Sequence, residues 1–134
     1  MTLDDFIARV PASTRSKVSE RTLDVWHAIY SYVVEHGQVD RFDYAFEKSL
    51  ATTLGKWFSG ATLQRHLRGM SKAGLLQPHR VIVRYTEHGK LWLPFGRRMF
   101  RDDALSAGAF VRYTLPGMKP TLDTKQTDEQ PTKA

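Results

Sequence analysis

The sequence contains no cysteine among its 134 residues. This absence excludes disulfides, thiolate metal ligands, redox-active thiol pairs and a cysteine nucleophile. Long hydrophobic runs are missing as well, so no segment is expected to span a membrane. The first residues include Asp4 and Asp5, whereas a secretory signal carries positive charge ahead of an apolar stretch. We therefore expect a soluble protein of the cytoplasm.

Motifs that carry catalysis or cofactor binding are also missing. The sequence has no glycine-rich dinucleotide motif, no phosphate-binding loop ending in Gly-Lys-Ser/Thr and no nucleophile elbow. Its five histidines are scattered, with no pair four residues apart, so we expect no metal site. The neighbouring carboxylates Asp102 and Asp103 are better explained as a helix start after a basic loop. We predict no enzymatic activity, no catalytic residue, no cofactor and no small-molecule ligand.

Acidic residues are scarce in the middle of the chain, although the whole protein has 14 of them against 20 Lys and Arg. Residues 48–101 hold eleven Lys or Arg and a single acid, Glu87. Surface cations serve solubility, but so many like charges repel one another unless the partner is a polyanion. Positive charge concentrated in one region is the electrostatic footprint of a nucleic-acid-binding protein.

Hydrophobic spacing predicts helices over the first half of the chain, and the length suits one domain. Residues that cap helices precede most of the predicted segments, and glycines follow the three longer ones. The predicted helices are a short N-terminal one capped by Thr2, residues 18–36 with Ser19 as N-cap, residues 40–54, and residues 59–72 with Ser59 as N-cap.

The second half changes to strand patterning, with β-branched residues in partial alternation. Strands are predicted over residues 80–86, 91–93 and 110–115, and a tight turn at His88-Gly89 joins the first two.

The C-terminal residues have a different composition, dominated by Thr, Lys, Gln, Asp and Pro. Such a segment cannot bury enough apolar surface to order itself. We predict one domain over residues 1–117, in which 1–17 form the N-terminal helix and its connection, and a flexible tail over 118–134.

The helical pattern of the basic region carries a more specific motif. Leu50-Ala51-x-x-Leu54-Gly55 is followed by Ser59-x-x-Thr62-Leu63-x-Arg65-x-Leu67-x-x-Met70-x-x-x-Gly74-Leu75-Leu76. This run resembles the winged helix-turn-helix family of DNA-binding domains, and the resemblance spans residues 20–117. It implies an α+β fold in which N-terminal helices are followed by a three-stranded β wing. The sequence departs from the usual pattern of the family in two places. Lys56-Trp57-Phe58 lengthens the turn between the helices, and the connection over residues 95–109 is long for a wing.

The resemblance implies that helix 59–73 lies in the major groove, with its N-terminal residues near the base edges. Among its outward positions, Gln64 is suited to adenine and Arg65 or Arg68 to guanine, because these side chains form paired hydrogen bonds with those bases. A solvated helix position is the alternative for Gln64.

Other polar residues of this region are assigned to the DNA backbone, where contacts give affinity without sequence preference. Ser59 is expected to cap the helix so that its N-terminus faces a phosphate. Thr62 is suited to a phosphate or a thymine methyl, unless it is half-buried. The phosphate contacts are assigned to Lys56, Arg68 and Lys72.

The predicted wing supplies a second set of cations, which follow the backbone or enter the minor groove. Arg97 and Arg98 are the best pair, because the adjacent Gly96 lets the chain approach the duplex. The wing set is Arg84, Lys90, Arg97, Arg98 and Arg101.

Trp57 and Phe58 stand beside Lys56 and could stack on unpaired bases. Packing between helices at the turn is the preferred interpretation of both.

These patterns predict a sequence-specific transcriptional regulator that binds double-stranded DNA as a homodimer. A dimer is expected because one recognition helix contacts few base pairs and a twofold protein matches a palindromic site. The aromatic residues of the first helices are candidates for the dimer contact, namely Phe6, Trp26, Tyr30 and Tyr32. Two alternatives remain: a winged-helix module that binds another protein, and a plasmid or phage accessory protein that binds DNA for replication or partition.

Overall fold

A computed structural model of the protein describes residues 1–40, 43–86, 89–94 and 107–122. Within these residues the chain forms five helices and four strands. None of the described helices is long and apolar enough to cross a membrane. In chain order the elements are α1 Leu3–Arg9, α2 Ala12–Arg15, α3 Glu20–His36, β1 Gln38–Asp40, α4 Tyr44–Leu54, α5 Gly60–Lys72, β2 Gln77–Thr86, β3 Gly89–Pro94 and β4 Ala107–Thr114.

Side chains cap four of the described helix N-termini, three of them at residues that the sequence predicts. Thr2, Ser19 and Ser59 each accept a hydrogen bond from the backbone N–H three residues further on. Asp43 does the same for α4. Gly37 ends α3 with φ at 90°, a left-handed conformation that glycine adopts without strain. The predicted starts of α1, α3 and α5 are thereby confirmed.

Strand β1 lies where the sequence predicts the start of a helix. The helix predicted over residues 40–54 begins only at Tyr44, and Gln38–Asp40 pairs with β4 instead. Val39 is fully buried, and Asp40 forms an ion pair with Arg112, 72 positions further along the chain. A strand of three residues has too few positions for a periodic signal, so these distant partners determine it.

The four strands form one antiparallel sheet in the order β1-β4-β2-β3. Strands β2 and β3 form the predicted hairpin, with Thr86 opposite Gly89. Strand β4 lies on the other side of β2 and separates it from β1. The α+β class is confirmed. The sheet has four strands rather than the predicted three because β1 joins it.

One face of the sheet packs against the helices. Tyr113 of β4 and Val39 of β1 belong to the same hydrophobic core as residues from four helices. The largest fully buried helical side chains of this core are Phe6, Ile29, Val33, Phe46, Leu50, Leu67 and Met70.

The opposite face of the sheet carries a buried ion pair. The Arg112 Nε lies 3.2 Å from the Asp40 Oδ2, and both side chains are about nine-tenths buried. The Arg112 Cζ lies 4.0 Å from the centroid of the Trp92 ring, and its Nη1 donates to the Thr121 carbonyl. One side chain thus connects β1, β3, β4 and the segment that follows β4.

Hydrogen bonds extend into the segment for which the sequence predicts a flexible tail. The Thr121 N–H donates to the Gln38 Oε1 at 2.7 Å, and the Thr114 hydroxyl donates to the Met118 carbonyl at 3.2 Å. These bonds join the first part of the predicted tail to the sheet. Its remainder, residues 123–134, lies outside the described part of the chain.

The aromatic residues of the first helices line the core. Phe6, Trp26, Tyr30 and Tyr32 are between 0 and 7% exposed. Within the single chain these four side chains therefore belong to the core rather than to the exposed surface, and the homodimer contact stays a prediction.

Removing one partner of the buried ion pair is expected to destabilise the fold. Asp40→Ala leaves the Arg112 guanidinium buried without its counter-charge, and the free energy of unfolding should fall by about 3 kcal/mol. Urea unfolding followed by circular dichroism measures it. In the double variant with Arg112→Met, the loss should be smaller because both charges are gone.

The matched control is Arg21→Ala, at an exposed position of α3, which should change stability by no more than about 0.5 kcal/mol. If Asp40→Ala behaves like this control, the ion pair does not stabilise the sheet.

Candidate nucleic-acid interface

Helix α5 is fixed to the core along one side only. Leu63, Leu67 and Met70 recur at helical spacing and are no more than 4% exposed. The opposite side of the helix therefore faces solvent, as the sequence predicts.

The exposed side of α5 is basic. Arg65, Arg68 and Lys72 are all exposed, and their spacing of three and four residues places them in one stripe. The helix sequence from Gly60 to Lys72 contains no acidic residue. We call these three cations the α5 basic face; the structure brings them together as predicted.

The first turn of α5 holds its own network of hydroxyl groups. The Ser59 Oγ accepts from the Thr62 N–H at 3.2 Å and donates to the Thr62 Oγ1 at 2.9 Å. The same Thr62 Oγ1 accepts from the Arg65 Nη2 at 3.4 Å. Ser59 is the predicted cap, and Thr62 is half-buried and orients the Arg65 guanidinium.

Gln64 is bonded to the sheet. It is half-buried, and its Nε2 donates to the Tyr113 hydroxyl of β4 at 3.4 Å. Burial raises the pKa of the Tyr113 phenol, while the positive charge of Arg68 acts in the opposite direction. A base contact by Gln64 requires this hydrogen bond to the sheet to be given up, whereas the side chains of Arg65 and Arg68 are exposed.

His66 lies beneath the basic face. The Trp26 Nε1–H donates to the His66 Nδ1 at 3.2 Å, and the Phe58 ring meets the imidazole edge-on at 6.3 Å. Burial lowers the pKa of His66, and the neighbouring Arg65 charge lowers it further. The neutral imidazole is thus the form that the structure favours, because only this form can accept the indole hydrogen bond.

The turn before α5 contributes Lys56, whose side chain is exposed. Its Nζ lies 5.2 Å from the centroid of the Phe58 ring. Phe58 is half-buried and packs against the core.

The predicted wing residues are only partly within the described chain. Arg84 lies on β2 opposite Leu91, and Lys90 lies on β3 opposite Tyr85, next to the hairpin turn. The other three, Arg97, Arg98 and Arg101, lie outside the described residues.

Sequence reasoning names Trp57 but misses Tyr44, with which Trp57 forms an exposed aromatic pair. The rings of Tyr44 and Trp57 stack with centroids 5.9 Å apart and an interplanar angle of 27°. Tyr44 is 65% exposed and Trp57 is 56% exposed. The preferred interpretation, in which both Trp57 and Phe58 pack between helices, holds for Phe58 and is wrong for Trp57. The sequence signal for an exposed Trp57 is the adjacent Lys56, because a charged neighbour favours a position at the surface.

Histidines and carboxylates do not gather anywhere in the described ranges: no group of three or more could hold a metal ion. Comparison of the chain with protein-family models, with curated proteins and with solved structures finds no match.

The buried position of His66 predicts a dependence of stability on pH. Because its folded-state pKa is below the ordinary value near 6.5, the unfolded chain binds the proton more readily. Stability is therefore complete above this value and should fall as the pH drops below it. Urea unfolding at pH 7.5, 6.5 and 5.5 measures the effect.

His66→Gln is the diagnostic variant, because its amide oxygen can accept the Trp26 hydrogen bond but does not titrate in this range. Its stability should fall less between pH 7.5 and 5.5 than that of the unmodified protein. Some dependence should persist, since burial also lowers the pKa of His79. Equal losses in both proteins would exclude His66 as a source.

Proposed function

We propose that this chain is a winged helix-turn-helix protein that binds double-stranded DNA, with α5 in the major groove, and acts as a sequence-specific transcriptional regulator. The observation that carries the proposal is the two-sided character of α5. Three buried apolar residues hold one side, while Arg65, Arg68 and Lys72 are exposed on the other without an acidic neighbour in the helix.

The chain order supports this proposal. Helix α3 is followed by strand β1, the helix pair α4 and α5, and then the β2–β3 hairpin. Apart from β1, which the sequence does not predict, this is the order that the resemblance implies, and we assign α5 as the recognition helix and the hairpin as the wing. Since fold alone does not determine function, the weight rests on the charges of α5.

The side chains of α5 divide into two roles. Arg65 and Arg68 are exposed and are assigned to base edges, where a paired contact with guanine gives sequence preference. Lys72, at the end of the helix, and Lys56, in the turn, are placed for phosphates. Gln64 is assigned to positioning α5 on the sheet through Tyr113.

We further propose that the regulator binds a palindromic site as a homodimer, because a single α5 contacts only a few base pairs. The dimer contact lies outside the buried aromatic cluster of the first helices. Arg84 and Lys90, beside the hairpin turn, are proposed to follow the backbone or the minor groove of the same site.

Fluorescence anisotropy with a labelled duplex tests the proposal once a preferred site has been selected from random duplexes. Arg65→Ala should weaken binding to that site about tenfold to a hundredfold and relax its preference at one position. Lys72→Ala should weaken all duplexes alike and reduce the slope of log affinity against log salt by about 1.

Lys17→Ala is the matched control, since it removes an exposed cation outside α5 and should leave affinity unchanged. If the unmodified protein binds no duplex at about 50 mM salt, where electrostatic association is already strong, the proposal fails. The basic face would then belong to an acidic protein partner.

A further inference from the structure

The Tyr44–Trp57 pair is an exposed aromatic surface that the core does not require. Five large hydrophobic residues are exposed in the described ranges, and Tyr44 and Trp57 are the two of them whose rings stack on each other. Isolated exposed apolar residues are ordinary, but a preassembled pair of rings points to a ligand. Trp57 stays 56% exposed although Tyr44 stacks on it, so much of the indole is accessible to a ligand.

Cations flank the pair on both elements that form it. Lys48 is exposed one helical turn after Tyr44 on α4, and Lys56 is exposed directly before Trp57. The nearest acids in sequence are Asp43 and Glu47, both half-buried. The Asp43 carboxylate is already engaged, because it caps α4 and accepts from Tyr32. The ligand that suits this surface is therefore flat, apolar on its faces and attached to negative charge.

The pair also lies close to the start of α5 in the chain, because Trp57 precedes the Ser59 cap by two residues. A nucleic-acid strand that extends past the N-terminal end of α5 is therefore the candidate ligand for the aromatic surface. In a fully paired duplex both faces of a base are covered by its neighbours. Only a base that is unpaired and unstacked presents a face to an aromatic side chain.

We propose that the Tyr44–Trp57 pair stacks on an unpaired DNA base next to the duplex held by α5, with Lys48 and Lys56 on the phosphates of that strand. The inference rests on the proposed function, since α5 is taken to hold the paired part. Tyr44 keeps the indole in a fixed orientation before binding, which lowers the entropic cost of the stack.

The experiment compares a blunt duplex with a forked duplex that has the same paired sequence and a short unpaired arm. Anisotropy titration of the full chain should give about tenfold tighter binding to the forked duplex. Trp57→Ala should abolish this preference and leave the affinity for the blunt duplex unchanged. Trp57→Phe should keep most of the preference, because an aromatic face remains.

Val34→Ala is the matched control, since it removes an exposed apolar side chain from α3 and should keep the full preference. Because Trp57 is exposed, the free energy of unfolding of Trp57→Ala should stay close to that of the unmodified protein. Addition of the unpaired arm should also quench the tryptophan emission of the unmodified protein, and this change should be absent in Trp57→Phe.

If the unmodified protein binds the blunt and the forked duplex with equal affinity, the inference is overturned. The proposed function is still supported in that case, because the protein binds the blunt duplex. Equal weakening of both DNAs by Trp57→Ala also overturns the inference, because the pair then contacts paired DNA. Loss of a dimer in sedimentation of Trp57→Ala, with the fork preference retained, overturns it in favour of a contact between two copies of the chain. Failure of both DNAs to bind removes both proposals together.

Discussion

The ion pair between Arg112 and Asp40 is the constraint on which the rest of the architecture depends. Asp40 ends β1 just before the helix pair, and His79 lies near the start of β2 just after it; both stand opposite Arg112 in the sheet. Arg112 therefore lies between the residues that precede and follow the segment containing α4 and α5, and the sheet brings the two ends of that segment together. Because the guanidinium also contacts Trp92 and the Thr121 carbonyl, it fixes the hairpin and the C-terminal segment to the same point.

The two sides of α5 follow from this arrangement. Helix α5 packs against α3, and Leu63, Leu67 and Met70 share one hydrophobic core with residues of the sheet, so the cations on the opposite side of the helix face solvent. Three exposed cations on one helix repel one another, and a polyanion relieves that repulsion. Burial lowers the pKa of His66 and so favours its neutral form. The imidazole therefore adds no further positive charge to the repulsion among the cations of α5.

Short-range sequence signals such as helix caps predict much of this fold. The elements that the sequence does not predict are those that depend on pairing with residues far away in the chain. Ser19 and Ser59 mark helix starts because a cap needs only its own first turn. Strand β1 escaped prediction because Val39 and Asp40 acquire their roles from β4, far away in sequence. The aromatic residues of α3 illustrate the same limit: composition identifies Trp26 and Tyr30 as important but does not say whether they face the core or a partner.

In the candidate site, two adjacent aromatic residues also differ in whether they face the core or the surface. Trp57 and Phe58 are adjacent large aromatic residues, and the sequence alone does not say which of them enters the core. Phe58 does so and meets His66, which leaves Trp57 outside. Tyr44 stacks on the indole from the first residue of α4, where the Asp43 side chain caps the helix. The start of α4, which follows the ion-paired Asp40 closely in sequence, therefore sets the place of the second ring.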